Sequence, residues 1–166
     1  MDILATQVMR RSVQTVPPGM TLPDLEHAFV QSGVSALPVV EGDQLLGVVS
    51  RSDIVSKLDL ERRTAQRTSD FFTDENDEFH EVPLKTTEQI TERVGERMEN
   101  LTVADVLNRQ AIAARPDQPL RLIAESMIEH NIHRVLITQE GRLLGVVSTS
   151  DFVCLYAQGR IKPADH

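Results

Sequence analysis

The sequence predicts a mixed α/β (α+β) chain. It should hold two β-α-β-β-α units related by pseudo-twofold symmetry, with their sheets packed together and the helices outside. Three observations lead there. A shift of 98 residues lays Leu45-Leu46-Gly47-Val48-Val49-Ser50 on Leu143-Leu144-Gly145-Val146-Val147-Ser148, with Ser52-Asp53 on Ser150-Asp151 and Val55 on Val153. The same shift pairs Val8 with Val106, Arg11 with Arg109, Pro18 with Pro116 and Leu22 with Leu120, without gaps. Within each copy, helical and strand periodicities alternate in the same order.

Each copy opens on a short extended segment, Val13–Val16 or Ala111–Ala114. A helix follows. Thr21 can cap it, with Pro23 and Asp24 in the first turn. Its stripe is Leu22, Leu25, Phe29 and Val30, matched in copy two by Leu120, Ile123, Met127 and Ile128. Gly33 and Asn131 end the two helices, both tolerant of the left-handed C-terminal position. Two β-type runs follow, Ala36–Val40 and Gln44–Val49, then Arg134–Thr138 and Arg142–Val147. Gly42 and Gly141 in the connecting turns mark hairpins. A last helix starts near Ser50 or Ser148. A unit of about 50 residues is too small to cover its own sheet, so an intramolecular pair is expected.

Charge divides the 166 residues further. The chain carries −8 overall; residues 1–58 hold −2, residues 59–102 hold −6 and residues 103–166 are neutral. The expected organisation is therefore unit 1 over 1–58, an acidic insert over 59–102 with a helix near 87–100, unit 2 over 103–158 and a tail over 159–166. The acidic balance argues against nucleic acid as a partner, and no apolar run of about 20 residues suggests a membrane span. A cytoplasmic protein is expected. The single Cys154 excludes an internal disulfide framework and reads as a buried structural thiol.

These residues resemble the cystathionine β-synthase (CBS) domain, and the tandem resembles a CBS pair, or Bateman module. Val8-Met9, Leu37-Pro38-Val39-Val40, Gly-Val-Val-Ser-x-Ser-Asp in both copies and His133-Arg134-Val135-Leu136-Ile137 carry the resemblance, over about residues 3–58 and 100–158. It implies a regulatory, non-catalytic module whose clefts between copies hold AMP, ADP, ATP or S-adenosylmethionine. It also implies dimerisation into four-unit discs, acting on a regulated protein that the sequence does not identify.

On that resemblance, the candidate ligand residues are Ser148, Asp151, Arg134, His133, Ile112 and Ala114, with Ser50, Asp53, Val16 and Pro38 in copy one. Ser148 followed by Asp151 also reads as a capping box, which complements the helix dipole. The same hydroxyl and carboxylate at a helix start can bind a ribose; the two readings are compatible. Arg134 is a solvated strand-start charge or a fork for phosphate, with His133 as a second donor. Its copy-one counterpart is Ala36, so copy two should prefer phosphorylated ligands. Ile112–Ala114 and Val13–Val16 are core strands by composition; the resemblance makes them the adenine slot.

The insert's run from Asp70 to Glu81 is dense in acids, but Phe79 and Lys85 stand where a calcium loop needs Gly and Glu. A solvated loop is the reading, with Phe71, Phe72 and Phe79 as a docking element for an alternative scaffold role. No phosphate loop, metal-type His spacing or nucleophile elbow points to an enzyme, and no catalytic or metal residue is assigned.

Overall fold

The computed structural model describes residues 2–71 and 94–161. In chain order these form a 3₁₀ turn at Ala5–Gln7, helix α1 at Leu22–Ser32, strands β1 at Ala36–Glu41 and β2 at Gln44–Ser50, and helix α2 at Arg51–Phe71. The second copy supplies helix α3 at Val103–Val106, strand β3 at Ala113–Ala114, helix α4 at Leu120–Glu129, strands β4 at Arg134–Gln139 and β5 at Arg142–Ser148, and helix α5 at Thr149–Ala157. Residues 94–99 are also helical; the rest of the helix expected near 87–100 lies outside the described residues, as do Phe72 and Phe79.

The mixed α/β class is the one read from the sequence, and copy two follows the expected element order; in copy one the strand expected at Val13–Val16 is reduced to a single bridge from Val16 to Val39. Hydrogen bonding links the strands in one order, β1-β2-β5-β4-β3, where the repeat predicts a sheet for each copy. The link is the antiparallel pair Gln44–Arg142. Helix α1 starts as expected: Thr21 Oγ1 accepts from the Asp24 amide, and Gly33, at φ 65°, accommodates the left-handed end. Asn131 does the same at φ 51°. Helix α2 continues past residue 58 into the acidic segment, carried there by (i, i+4) pairs such as Lys57–Glu61 and Asp59–Arg63.

The compact units interleave the copies. One comprises Met1–Thr15, Val40–Leu46 and Gln110–His166, the other Val16–Val39 and Gly47–Arg109. Each unit thus joins the leading arm of one copy to helices and strands of the other, and the first also takes the turn end of the β1–β2 hairpin, Val40–Leu46. In the first, the Ala5 amide donates to the Gln118 carbonyl at 2.9 Å, and Arg10 and Val146 exchange both backbone hydrogen bonds at 2.9 and 3.0 Å. In the second, Val103 donates to Met20 at 2.9 Å, and Asn108 and Val48 exchange theirs at 2.8 and 2.9 Å. These contacts correspond residue for residue under the 98-residue shift.

Each unit has its own core. Ala5, Met9, Leu120, Ile123, Met127, Val135, Ile137 and Val147 cluster in the first. Leu22, Leu25, Phe29, Leu37, Val39, Val49 and Val103 are buried in the second. Three sequence expectations fail on helix phase. Val30 and Ile128 are 74% and 82% exposed, because each follows directly on the last buried stripe residue and turns about 100° away from it. Cys154 is exposed rather than buried, since α5 buries Asp151 and Leu155, one turn apart, and Cys154 lies off that line.

Candidate functional site at the head of helix α5

The first unit brings Ser148, Asp151, Arg134 and His133 around the start of α5. Ser148 ends β5 and caps α5. Its amide and hydroxyl donate to Asp151 Oδ2 at 2.7 and 2.6 Å, so the capping box read from the sequence is present. Asp151 is only 7% exposed. A buried carboxylate at this position needs partners for both oxygens. Arg10, from the leading arm, supplies them for Oδ1: Nε donates at 3.0 Å and Nη2 stands 2.9 Å away.

Burial by itself pushes the Asp151 pKa up. The bonds from the Ser148 hydroxyl and amide, then Arg10, outweigh it and hold the carboxyl below its ordinary value. The group is therefore a charged, fully partnered acceptor. Arg10 belongs to no motif of the sequence; its one mark there is the repeat, which places Asn108 opposite it and leaves the charge in one copy only.

Arg134 opens β4 in register with Ser148 across the β4–β5 pair. It is exposed and makes no ion pair among the described residues. His133 is exposed too, and its carbonyl accepts from the Thr149 amide at 3.0 Å, which fixes the strand start against the helix start. Ile112 is half-buried; its carbonyl accepts from Leu136 at 3.4 Å. Ala114 pairs with Ile137 in parallel β3–β4 and belongs to the unit's core, while Ala113 takes the open side of the strand.

The second unit repeats the box without the arginine. Ser50 N and Oγ donate to Asp53 Oδ2 at 2.7 and 2.6 Å, and Asp53 N donates back to Ser50 Oγ at 3.2 Å. Val16 is buried, bridges in parallel to Val39 and donates to the Pro38 carbonyl at 3.0 Å. Pro38 is buried, and Arg51 stacks over the Phe29 ring at 5.6 Å. The candidate residues thus fall into two sets, one per unit, alike in the cap and different in charge. Among the described residues no cluster of three or more His, Cys, Asp or Glu could hold a metal ion, and no helix is long and apolar enough to cross a membrane.

Comparison with known proteins agrees with this architecture. The CBS domain model matches twice, at residues 5–60 and 103–157. The uncharacterised protein MJ1426 of Methanocaldococcus jannaschii is 31% identical over 134 residues, covering 78% of this chain and 77% of that protein. The crystal structure of CBSX2 in complex with AMP superposes with a TM-score of 0.66 at 18% identity, covering 95% and 98% of the two chains. The CBS domain pair of protein MJ0100, solved with 5-methylthioadenosine and S-adenosyl-L-methionine, gives 0.61 at 16% identity, covering 96% and 99%. Some matched proteins are longer: the chain spans 29% of one curated relative and 48% of one solved chain. At these identities the structural likenesses show the fold, and the double family match covers more than half of the residues. The chain belongs to the CBS domain family and carries two CBS domains in tandem.

Proposed function

We propose that the chain is a non-catalytic regulatory module that binds an adenosine-containing ligand at the head of α5. The observation that carries this reading is the buried Ser148–Asp151 pair at a helix start, in strand register with Arg134, which has no ion-pair partner among the described residues. Asp151 is the acceptor for ribose hydroxyls, Ser148 lies beside it, and Arg134 with His133 faces the phosphate. Complexes of related folds with AMP, and with S-adenosyl-L-methionine and 5-methylthioadenosine, support the adenosine class. The charge at Arg134 favours a phosphorylated member of it, and the second unit, with Ser50, Asp53, Val16 and Pro38 but no such arginine, holds a less charged ligand or none.

In this reading ribose and Arg10 compete for the same carboxylate oxygen. Ligand binding releases the arm from α5, and that difference between states is what a partner reads. Calorimetric titration with AMP, ATP and S-adenosylmethionine tests the proposal. Saturable heat with a preference for AMP or ATP is expected, reduced by Arg134→Ala. No heat and no thermal shift from any of them at millimolar concentration rejects it.

The working form is a homodimer. Six of the eight large apolar residues exposed among the described residues recur at the 98-residue shift, Val30 with Ile128, Val55 with Val153 and Leu58 with Tyr156, while Leu60 and Leu122 do not. A second copy can cover both sets alike. Sedimentation of the full chain should give a dimer, and Val55→Asp with Val153→Asp should give a monomer of unchanged helicity.

A further inference from the structure

The first unit holds an open pocket that none of Ser148, Asp151, Arg134 or His133 lines, although Val13 and Thr15, from the segment expected as an adenine slot, do. Its volume is about 330 Å³, within the range of small-molecule sites of about 300–1,000 Å³. Arg11 from the leading arm and Arg142 from the start of β5 stand on its rim, both exposed. Among the described residues neither guanidinium has an ion-pair partner. Val13, Val40 and Leu143 supply apolar wall, Thr15 adds a hydroxyl and Asp43 a single carboxylate. Two cations against one anion leave the lining positive.

We infer that this pocket is a second binding site, for a small phosphate monoester with an apolar body. Two guanidinium groups on separate strands of chain need an anion with oxygens pointing to both. A phosphate has three such oxygens; a carboxylate spends its two on one fork. The wall of Val13, Val40 and Leu143 takes the carbon body, and Thr15 can donate a further hydrogen bond. The equivalent positions 98 residues away hold Arg109 for Arg11 but Gln44 for Arg142 and Glu140 for Gly42. The cation pair is therefore a property of one copy only, beyond what the repeat requires.

The probe is phenyl phosphate, titrated into the full chain and followed by amide chemical shifts. Saturable shifts at Val13, Thr15 and Leu143 are expected, with inorganic phosphate binding more weakly for want of the ring. Arg11→Gln and Arg142→Gln should each weaken the probe about tenfold. Both changes are safe for folding: Arg11 is exposed, and Arg142→Gln installs the residue already present at Gln44. Arg134→Ala, at an exposed side chain of the α5 site that does not hold the arm, should leave these shifts unchanged, which separates this site from the one at α5. Absence of saturation, shifts unaffected by the arginine changes, or shifts lost with Arg134→Ala would each overturn the assignment.

Discussion

Arg10 and Asp151 are 141 residues apart in the chain and share two charged contacts at 2.9 and 3.0 Å, both on Asp151 Oδ1. The remaining oxygen of Asp151 is taken by the Ser148 cap. One carboxylate therefore starts helix α5 and holds the leading arm, Met1–Thr15 of the same compact unit, against it.

Arg10→Gln should loosen the arm without melting the helix. The Arg10 side chain is 59% exposed and the Asp151 side chain 9%, so the loss is about 1–2 kcal/mol, the range of a charged hydrogen bond partly screened by water. Urea unfolding measures it. In the same variant AMP should bind more tightly, because Oδ1 is free; unchanged affinity would argue against competition for that oxygen.

Asp151→Ala and Asp53→Ala should not be equivalent, although the repeat makes them so. Each removes a cap contact, about 1 kcal/mol. Asp151→Ala also strands Arg10, and the total is about 2 kcal/mol. Equal losses in thermal unfolding would mean that the Arg10 contact adds nothing in solution.

Stability should fall on the acid side. The Asp151 pKa is lowered in the folded chain, by Ser148 and Arg10 against the opposing effect of burial. A carboxyl depressed on folding contributes its stability above the unfolded value of about 3.9 and loses it as pH falls through the folded value. Asp105 acts in the same direction through the Thr102 amide and hydroxyl. Asp151→Asn should flatten the slope of melting temperature against pH below about 4 and leave it unchanged at neutral pH.

Gly145→Ala should be more harmful than an exposed substitution of the same size. A Cβ there meets the Arg10 carbonyl at 2.7 Å and the Met9 sulfur at 3.0 Å. That carbonyl accepts from the Val146 amide, so relief comes only by parting the arm from β5. The cost is about 1–3 kcal/mol. Gly47→Ala should behave alike against the Asn108 carbonyl and the Leu107 side chain. Amide exchange should show faster exchange at Arg10 in the first variant and at Asn108 in the second.

The sequence by itself determined the repeat, the order of its helices and hairpins, the Thr21 cap and the αL stops at Gly33 and Asn131. It also determined the Ser148–Asp151 and Ser50–Asp53 boxes, because each depends on residues within one turn of one another. The same two copies leave the long-range pairing two-valued. Val48 in β2 and Val146 in β5 hold the same place in the repeated Gly-Val-Val-Ser motif, so an arm ending at Arg10 or Asn108 meets two like edges. The tertiary structure decides for the other copy's edge in both cases. That decision delivers Arg10 to Asp151, places Arg11 opposite Arg142 on one pocket, and leaves Asn108 where a second arginine would stand. Backbone hydrogen bonds between residues far apart in the chain, Arg10 with Val146 and Val48 with Asn108, set these neighbours, and no local periodicity encodes them.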